Sequence, residues 1–346
     1  MRICHVNLAS GFSGGERQTL QLIKQQVQEG YQLTVVANPK SPFVDEIRKL
    51  PCQLVLASHF TKQHAKSITE GCKAIHVHEG RAIYWALIQH LLYQVPYIVT
   101  RRIDNPLKNK WLSNLAYKKA SALVGLSSEI VDKIKIRHPD ATVYKIPSSP
   151  VSYPINTDIV SEIKTQYPNK CLVIHGANML KHKGFDVTLG AARILASTNP
   201  DIHFVLLGDG PERASLEALS TDLGNITFAG KQSNMGDWFA AADLLVHPSY
   251  SEGLGSVILE AIGARLPVIA THAGGIPDII DDGESGLLIP PGNASTLAEN
   301  IARLANDKAL REHLISGGAA KLQQFDIVYT SDLYQNIYNS IQSKDS

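Results

Sequence analysis

Short apolar, β-branched runs alternate with longer amphipathic segments along the whole chain. RICHVNL, LTVVA, QLVLA, AIHVH, YIVT and ALVGL occupy the first half, and CLVIH, HFVLLG, ITFAG, DLLVH, PVIA and GLLI the second. Nearly continuous apolar strands separated by helices predict parallel sheets covered on both faces. Two successive sets therefore predict an α/β chain of two doubly wound, Rossmann-like domains. Between the sets, IPSSPVSYPINTD carries Pro147, Pro150 and Pro154 without a helical period, which predicts a linker. The expected domains are 1–150 and 151–327. A last stretch sets Tyr329, Leu333, Tyr334, Ile337, Tyr338 and Ile341 at helical spacing, so a helix there packs on another surface. Ligands of such folds are met at the carboxyl ends of the strands, which points to a cleft between the domains.

The length of 346 residues agrees with two cores rather than one. The opening RICHVNLA reads as a strand and not as a secretory signal, which predicts a cytoplasmic location. The longest apolar stretch, Ala82 to Val99, is interrupted by Gln89, His90, Gln94 and Pro96 and is too polar to span a bilayer. Cys4, Cys52, Cys72 and Cys171 show no paired spacing, so neither a zinc site nor a disulfide framework is expected. A net charge of +1 hides an asymmetry: residues 1–150 hold 20 Lys and Arg against 10 Asp and Glu, and 151–346 hold 13 against 22. The basic half suggests an anionic partner, but no basic cluster carries the cues of a nucleic-acid binder.

The stretch SEGLGSVILEA places Glu252 in a glycine-rich turn and Glu260 eight residues on, among Val257, Ile258, Leu259, Ala261 and Ile262. A helix apolar on nearly every face is buried, and a buried acid needs donors from the protein or from a ligand. Gly253 and Gly255 let backbone approach a ligand, and the helix after them offers its first N–H groups. The pair reads as one site: a flexible acidic rim, an anion-friendly helix start and a deeper acid. The alternative is a capping Glu252 with Glu260 satisfied by an arginine. In ASGFSGGERQ, Ser13 and Glu16 have capping-box spacing, and Gly14 and Gly15 leave helix-start amides for a phosphate or sugar oxygen. IHVHEGRA puts His76 and His78 on one face at a strand end. No acid or cysteine completes a metal shell, so His78 reads as a hydrogen-bond donor to substrate. IHGANMLKHKGFDV projects Lys181 and Lys183 just before a helix, where a lysine can neutralise a diphosphate. Arg101, Arg102, Lys108, Lys110, Lys118 and Lys119 gather around Trp111 and Tyr117, marking an acceptor or membrane side, with Lys108, Trp111 and Leu115 on one helical face.

These motifs, with Gly208-Asp209-Gly210-Pro211 and Gly274-Gly275-Ile276-Pro277, give a chain that resembles the family 4 glycosyltransferases from Gly14 to the final helix. The resemblance implies the GT-B fold, with two Rossmann-like domains facing each other across a cleft and a final helix, about 328–346, crossing back to the first domain. It implies a retaining glycosyltransferase that moves a sugar from a nucleoside-diphosphate donor to a glycan or glycolipid hydroxyl, in lipopolysaccharide or polysaccharide synthesis. Glu260 would then bind the donor ribose, Glu252 the transferred sugar, and the amides of Gly253, Leu254 and Gly255 the sugar and diphosphate. Lys183 matches the phosphate lysine, Gly14 and Gly15 the loop that closes over the donor, and His78 a histidine near the sugar. Catalysis would run through His78, Lys183 and Glu252, by front-face attack with neither cofactor nor metal. The chain departs from the family pattern at Asn178, where relatives commonly carry an arginine, and at Ile146-Pro147-Ser148-Ser149, where they carry I-P-N-G. A peripheral seat on the inner face of the membrane, and no nucleic-acid partner, complete the expectation. A nucleotide-sugar epimerase of the same fold and a dinucleotide-dependent oxidoreductase are the alternatives, the second disfavoured by the lack of G-x-G-x-x-G.

Overall fold

The computed structural model describes residues 1–102, 107 and 110–341. The chain forms two compact units, Met1–Val151 with the segment from Phe325 onward, and Ser152–Gln324.

The first unit runs β1 (Arg2–Asn7), α1 (Gly14–Gln28), β2 (Gln32–Ala37), α2 (Phe43–Ile47), β3 (Gln53–Leu56), α3 (Lys66–Thr69) and β4 (Ala74–Val77), then α4 (Ala82–Tyr93), β5 (Tyr97–Arg101), α5 (Trp111–Lys119), β6 (Ala122–Gly125), α6 (Ser128–Arg137) and β7 (Val143–Lys145). Among the described residues its strands form one parallel sheet in the order β3-β2-β1-β4-β5-β6-β7. The order reverses between β1 and β4, and His5 stands opposite His76 across that seam. β7 lies outside the six runs read from the pattern, because its three residues are half-buried or exposed and carry no apolar signal.

The second unit runs α7 (Thr157–Gln166), β8 (Cys171–Gly176), α8 (Phe185–Thr198), β9 (Ile202–Leu207), α9 (Arg213–Leu219), β10 (Ile226–Gly230), α10 (Met235–Ala241) and β11 (Leu244–His247). It continues through α11 (Ser256–Gly263), β12 (Val268–Thr271), β13 (Leu287–Ile289), α12 (Ala294–Asn306) and α13 (Lys308–Leu322). Its sheet is parallel in the order β10-β9-β8-β11-β12-β13 and reverses between β8 and β11. Buried Val173, Phe204, Val246 and Ile269 alternate along these strands and meet Leu195, Leu297 and Ile301 from the covering helices. β11 ends on buried His247, and β8 carries buried His175 one residue before its end at Gly176.

α14 (Ile327–Ser340) belongs to the first unit. Its Tyr334, Ile337 and Tyr338, with Ile341, join the core of Ile3, Ile23, Val35 and Ile98. The periodicity of the last stretch therefore marks a helix that contributes to that core. Val328 and Tyr329, by contrast, are exposed. None of the helices among the described residues is long and apolar enough to cross a membrane; Ala82 to Val99 is a twelve-residue helix followed by a central strand.

Candidate functional site

In the second unit the chemistry collects where β8 and β11 part, the position at which an open α/β sheet leaves a crevice. Lys183 closes a short 3-10 turn after β8, and its Nζ lies 2.6 Å from Glu252 Oε2. The same carboxylate oxygen is 2.8 Å from His247 Nε2, which also meets Ser249 Oγ at 3.1 Å. Glu252 is thus a pinned carboxylate between two nitrogen donors, not the flexible rim expected from its glycine-rich turn. Burial pushes its carboxyl upward, but the hydrogen bond and charge of His247 together with Lys183 outweigh burial and hold it down at about 2. The backbone of Glu252 is fixed as well. Gly275 N donates to Glu252 O at 2.9 Å, and Gly274, at φ +59°, packs so closely that a Cβ there would fall 1.9 Å from the same oxygen. The Gly274-Gly275-Ile276-Pro277 motif therefore serves as the bed of the Glu252 loop.

Behind this carboxylate, Gly255 takes the left-handed conformation, φ +94°, that turns the chain into α11, with Leu254 tucked into the core and Gly253 half-buried. Such a conformation suits glycine, and it leaves the first amides of the helix without intrahelical acceptors. α11 is not buried all round: Ile258, Leu259, Ala261 and Ile262 face the core, while Ser256, Val257 and Glu260 form a half-buried face. Glu260 is accordingly not a lone acid, since Tyr153 Oη donates to its Oε2 at 3.3 Å. Asn178 and Lys181 are exposed beyond the end of β8. His247, missed in the sequence, closes DLLVH in the way that His78 follows AIHV; that repeated strand-end pattern was the available signal. Its Nδ1, like His175 Nε2, is buried without a partner among the described residues.

In the first unit Ser13 and Glu16 do pair at the start of α1: the Glu16 carboxylate accepts from Ser13 N at 2.9 Å and from Ser13 Oγ at 2.7 Å. Gly14 and Gly15 open the helix, and Gly15 lies against the Arg102 side chain. His78 does not stand ready to donate to a substrate. It is buried, its Nε2 is 2.9 Å from His5 Nδ1, and its Nδ1 is 3.3 Å from Arg102 Nη2. His5 from β1 joins His76 and His78, so the histidine pair seen in the sequence is a trio whose third member lies in an apolar strand 71 residues earlier than His76. The basic group around Trp111 divides. Arg102 turns inward to Gln18 at 2.9 Å and Ser148 at 3.1 Å, and Arg101 reaches Tyr117 Oη at 3.3 Å. Lys110, Trp111, Lys118 and Lys119 are exposed, while Lys108 lies outside the described residues. Ser148 and Ser149 use their hydroxyls inside the unit, on Arg102 and, at 3.0 Å, on Thr330 of α14. This accounts for two of the positions that depart from I-P-N-G.

Comparison with known proteins adds an independent line. Residues 157–321 match the model of the family described as "Glycosyl transferases group 1". The chain is 28% identical over 263 residues to the alpha-D-kanosaminyltransferase of Streptomyces kanamyceticus, spanning 72% of this chain and 68% of that protein. It is 35% identical over 173 residues to the lipopolysaccharide core biosynthesis glycosyltransferase LpsE of Rhizobium meliloti, spanning 49% of this chain and half of the relative. Among solved structures, Anabaena HepE in complex with UDP and glucose superposes over 99% of this chain and 100% of its own, with a TM-score of 0.83 at 20% identity. The matched region, 157–321, contains Lys183, Glu252 and Glu260 and is similar throughout to the Glycosyl transferases group 1 family, and the superposition covers both doubly wound sheets, which have the GT-B fold.

Proposed function

We propose that the chain transfers a hexose-type sugar from a nucleoside-diphosphate donor to a hydroxyl of a glycan or glycolipid, with retention of configuration and without a metal. The observation that carries this reading is the Lys183, Glu252 and His247 cluster at the strand reversal of the second unit, set before the start of α11 with Glu260 one face further along. A leaving diphosphate gains negative charge as the glycosidic bond breaks, and preorganised cations and helix-start amides stabilise that charge. Lys183 is such a cation. In the free chain it is paired with Glu252, so donor binding exchanges one anion for another at Lys183 and frees Glu252 Oε2 to accept from a sugar hydroxyl. The amides of Gly253, Leu254 and Gly255 serve the same groups, Glu260 takes the ribose hydroxyls, and Gly14, Gly15 and Asn178 complete the donor contacts.

Among the described residues the side chains hydrogen-bonded to the Glu252 carboxylate are Lys183 and His247, neither of them a carboxylate nucleophile, which suits front-face attack with the leaving phosphate accepting the acceptor's proton. HepE supports a UDP-sugar donor by its complexes with UDP and UDP-glucose, and the lipopolysaccharide core relatives support a glycolipid acceptor. The reading is tested by calorimetry across UDP-, GDP- and ADP-sugars. One class binds; Lys183→Met and Glu260→Gln each weaken it at least tenfold, and transfer continues in excess EDTA. Binding that ignores both substitutions, or turnover abolished by EDTA and restored by magnesium, defeats the reading. Isomerisation of the donor with no acceptor present would identify an epimerase instead.

A further inference from the structure

His5 and His76 face each other across the paired β1 and β4, and with His78 just beyond β4 they bury their rings together, a nitrogen of each within 4.8 Å of the others. Three histidines at that range invite a metal, but all six ring nitrogens already have hydrogen-bond partners. The partners form a line. Arg102 Nη2 meets His78 Nδ1 at 3.3 Å, His78 Nε2 meets His5 Nδ1 at 2.9 Å, and His5 Nε2 meets Gln26 Oε1 at 2.8 Å. Gln26 Nε2 donates to Tyr338 Oη at 3.4 Å, and Tyr338 Oη meets His76 Nδ1 at 2.7 Å. His76 Nε2 meets Thr100 Oγ1 at 2.8 Å, and Thr100 Oγ1 meets Tyr334 Oη at 3.0 Å.

Hydrogen placement follows from one fact: a guanidinium donates and never accepts. His78 Nδ1 must therefore be the acceptor, which puts its proton on Nε2 and aims it at His5 Nδ1. His5 then carries its proton on Nε2 and donates to the Gln26 carbonyl oxygen. The Gln26 amide nitrogen donates to Tyr338. The Tyr338 hydroxyl gives its proton to His76 Nδ1, its remaining partner, so His76 is protonated on Nε2 and donates to Thr100. Every imidazole N–H of the line, and the Tyr338 hydroxyl, then has an acceptor, with each imidazole neutral. Burial agrees, holding His5 down at about 4 and His76 and His78 well below the ordinary histidine range.

We propose that Arg102 is a positioning residue which sets the direction of this single hydrogen-bonded line, locking His78 in its Nε2–H form and tying the histidines at the β1 and β4 ends to Tyr338 and Tyr334 of α14. A His78 carrying its proton on Nδ1 would turn an N–H against the guanidinium, so the ordered line keeps Arg102 anchored at the strand ends beside Gly15. That these strand ends border a substrate rests on the transferase reading above. Tautomers are read without turnover, so the ordered line and the activity can fail separately.

The test is long-range 15N–1H correlation on the full chain labelled at histidine. Three neutral Nε2–H histidines are expected, assigned by His5→Gln, His76→Gln and His78→Gln. Either His5 or His78 found as the Nδ1–H form overturns the proposal. Direction gives the second readout. Arg102→Met should cost His78 and His5 their single tautomer, whereas Tyr338→Phe, downstream of both, should leave them unchanged and release only His76. The reverse pattern, or no response to Arg102→Met in a folded protein, overturns it. One equivalent of zinc should leave all three signals in place; stoichiometric zinc shifts at these histidines would establish the metal site instead.

Discussion

At the residue scale, the fate of Glu252 shows what spacing conveys and what it leaves out. Glu252 and Lys183 were both legible as candidate donor ligands because each sits beside glycine at a strand-to-helix turn. That they hold each other was not legible, since they are 69 residues apart and only the fold brings them to one seam. Their pairing has a pH signature. The Glu252 carboxyl is held at about 2, below its ordinary value of 4.5, so its contribution to stability is complete above the unfolded value and is lost as pH falls from about 5 toward 2. A depression of that size is worth on the order of 3 kcal/mol, because each unit corresponds to about 1.4 kcal/mol. Urea titrations of Glu252→Gln at a series of pH values should show a flatter acid limb than the parent for the second unit's transition. An unchanged limb would mean that other carboxylates govern acid unfolding. Arg102 carries the opposite lesson: a charge in a polar segment reads as surface, yet three buried acceptors from separate elements draw it inward.

At the element scale, twelve strand runs were legible because buried parallel strands are apolar throughout, whereas β7 was silent. α11 reads in the sequence as apolar on nearly every face, and Ser256, Val257 and Glu260 separate into their own half-buried face only once the helix is placed on β11 and β12. The turn at Gly274 was legible as a motif but not as a support. Its role predicts a specific failure. Gly274→Ala puts a methyl 1.9 Å from Glu252 O in a conformation that alanine resists, so either the turn or the Glu252 loop must move. The expected cost is about 1–3 kcal/mol in stability, together with donor affinity reduced at least tenfold. Gly283→Ala, whose φ of +79° is comparable but whose surroundings are open, should lose stability without losing donor affinity. Equal affinity losses in both variants would show that the close approach at Glu252 is not what Gly274 provides.

At the scale of the whole molecule, charge is unevenly divided: 20 basic against 10 acidic residues over 1–150, and 13 against 22 over 151–346. Part of the basic excess is internal, as Arg102 shows. The exposed part on α5 is Lys110 before its first residue, Trp111 at 73% exposure, Leu112 in its first turn, and Lys118 and Lys119 in its last. α4, which packs against α5, exposes Leu91 and Leu92. Exposed indole and leucine beside lysines are the composition of a helix that lies at a lipid surface, and a glycolipid acceptor would be presented there. Basic residues near an anionic leaflet contribute about 1 kcal/mol each and lose it as salt shortens the screening length. Cosedimentation with vesicles of anionic lipid should therefore fall steeply between about 50 and 500 mM salt, and neutral vesicles should capture much less protein. Lys118→Glu with Lys119→Glu should abolish capture at low salt, and Trp111→Ser should weaken it at every salt concentration, because indole burial is not screened. Both variants should keep the parent's donor affinity, since neither changes a residue proposed to contact the donor. Indifference of the intact chain to anionic vesicles at low salt would leave these lysines as ordinary solvated charge and would remove the membrane from the proposed reaction.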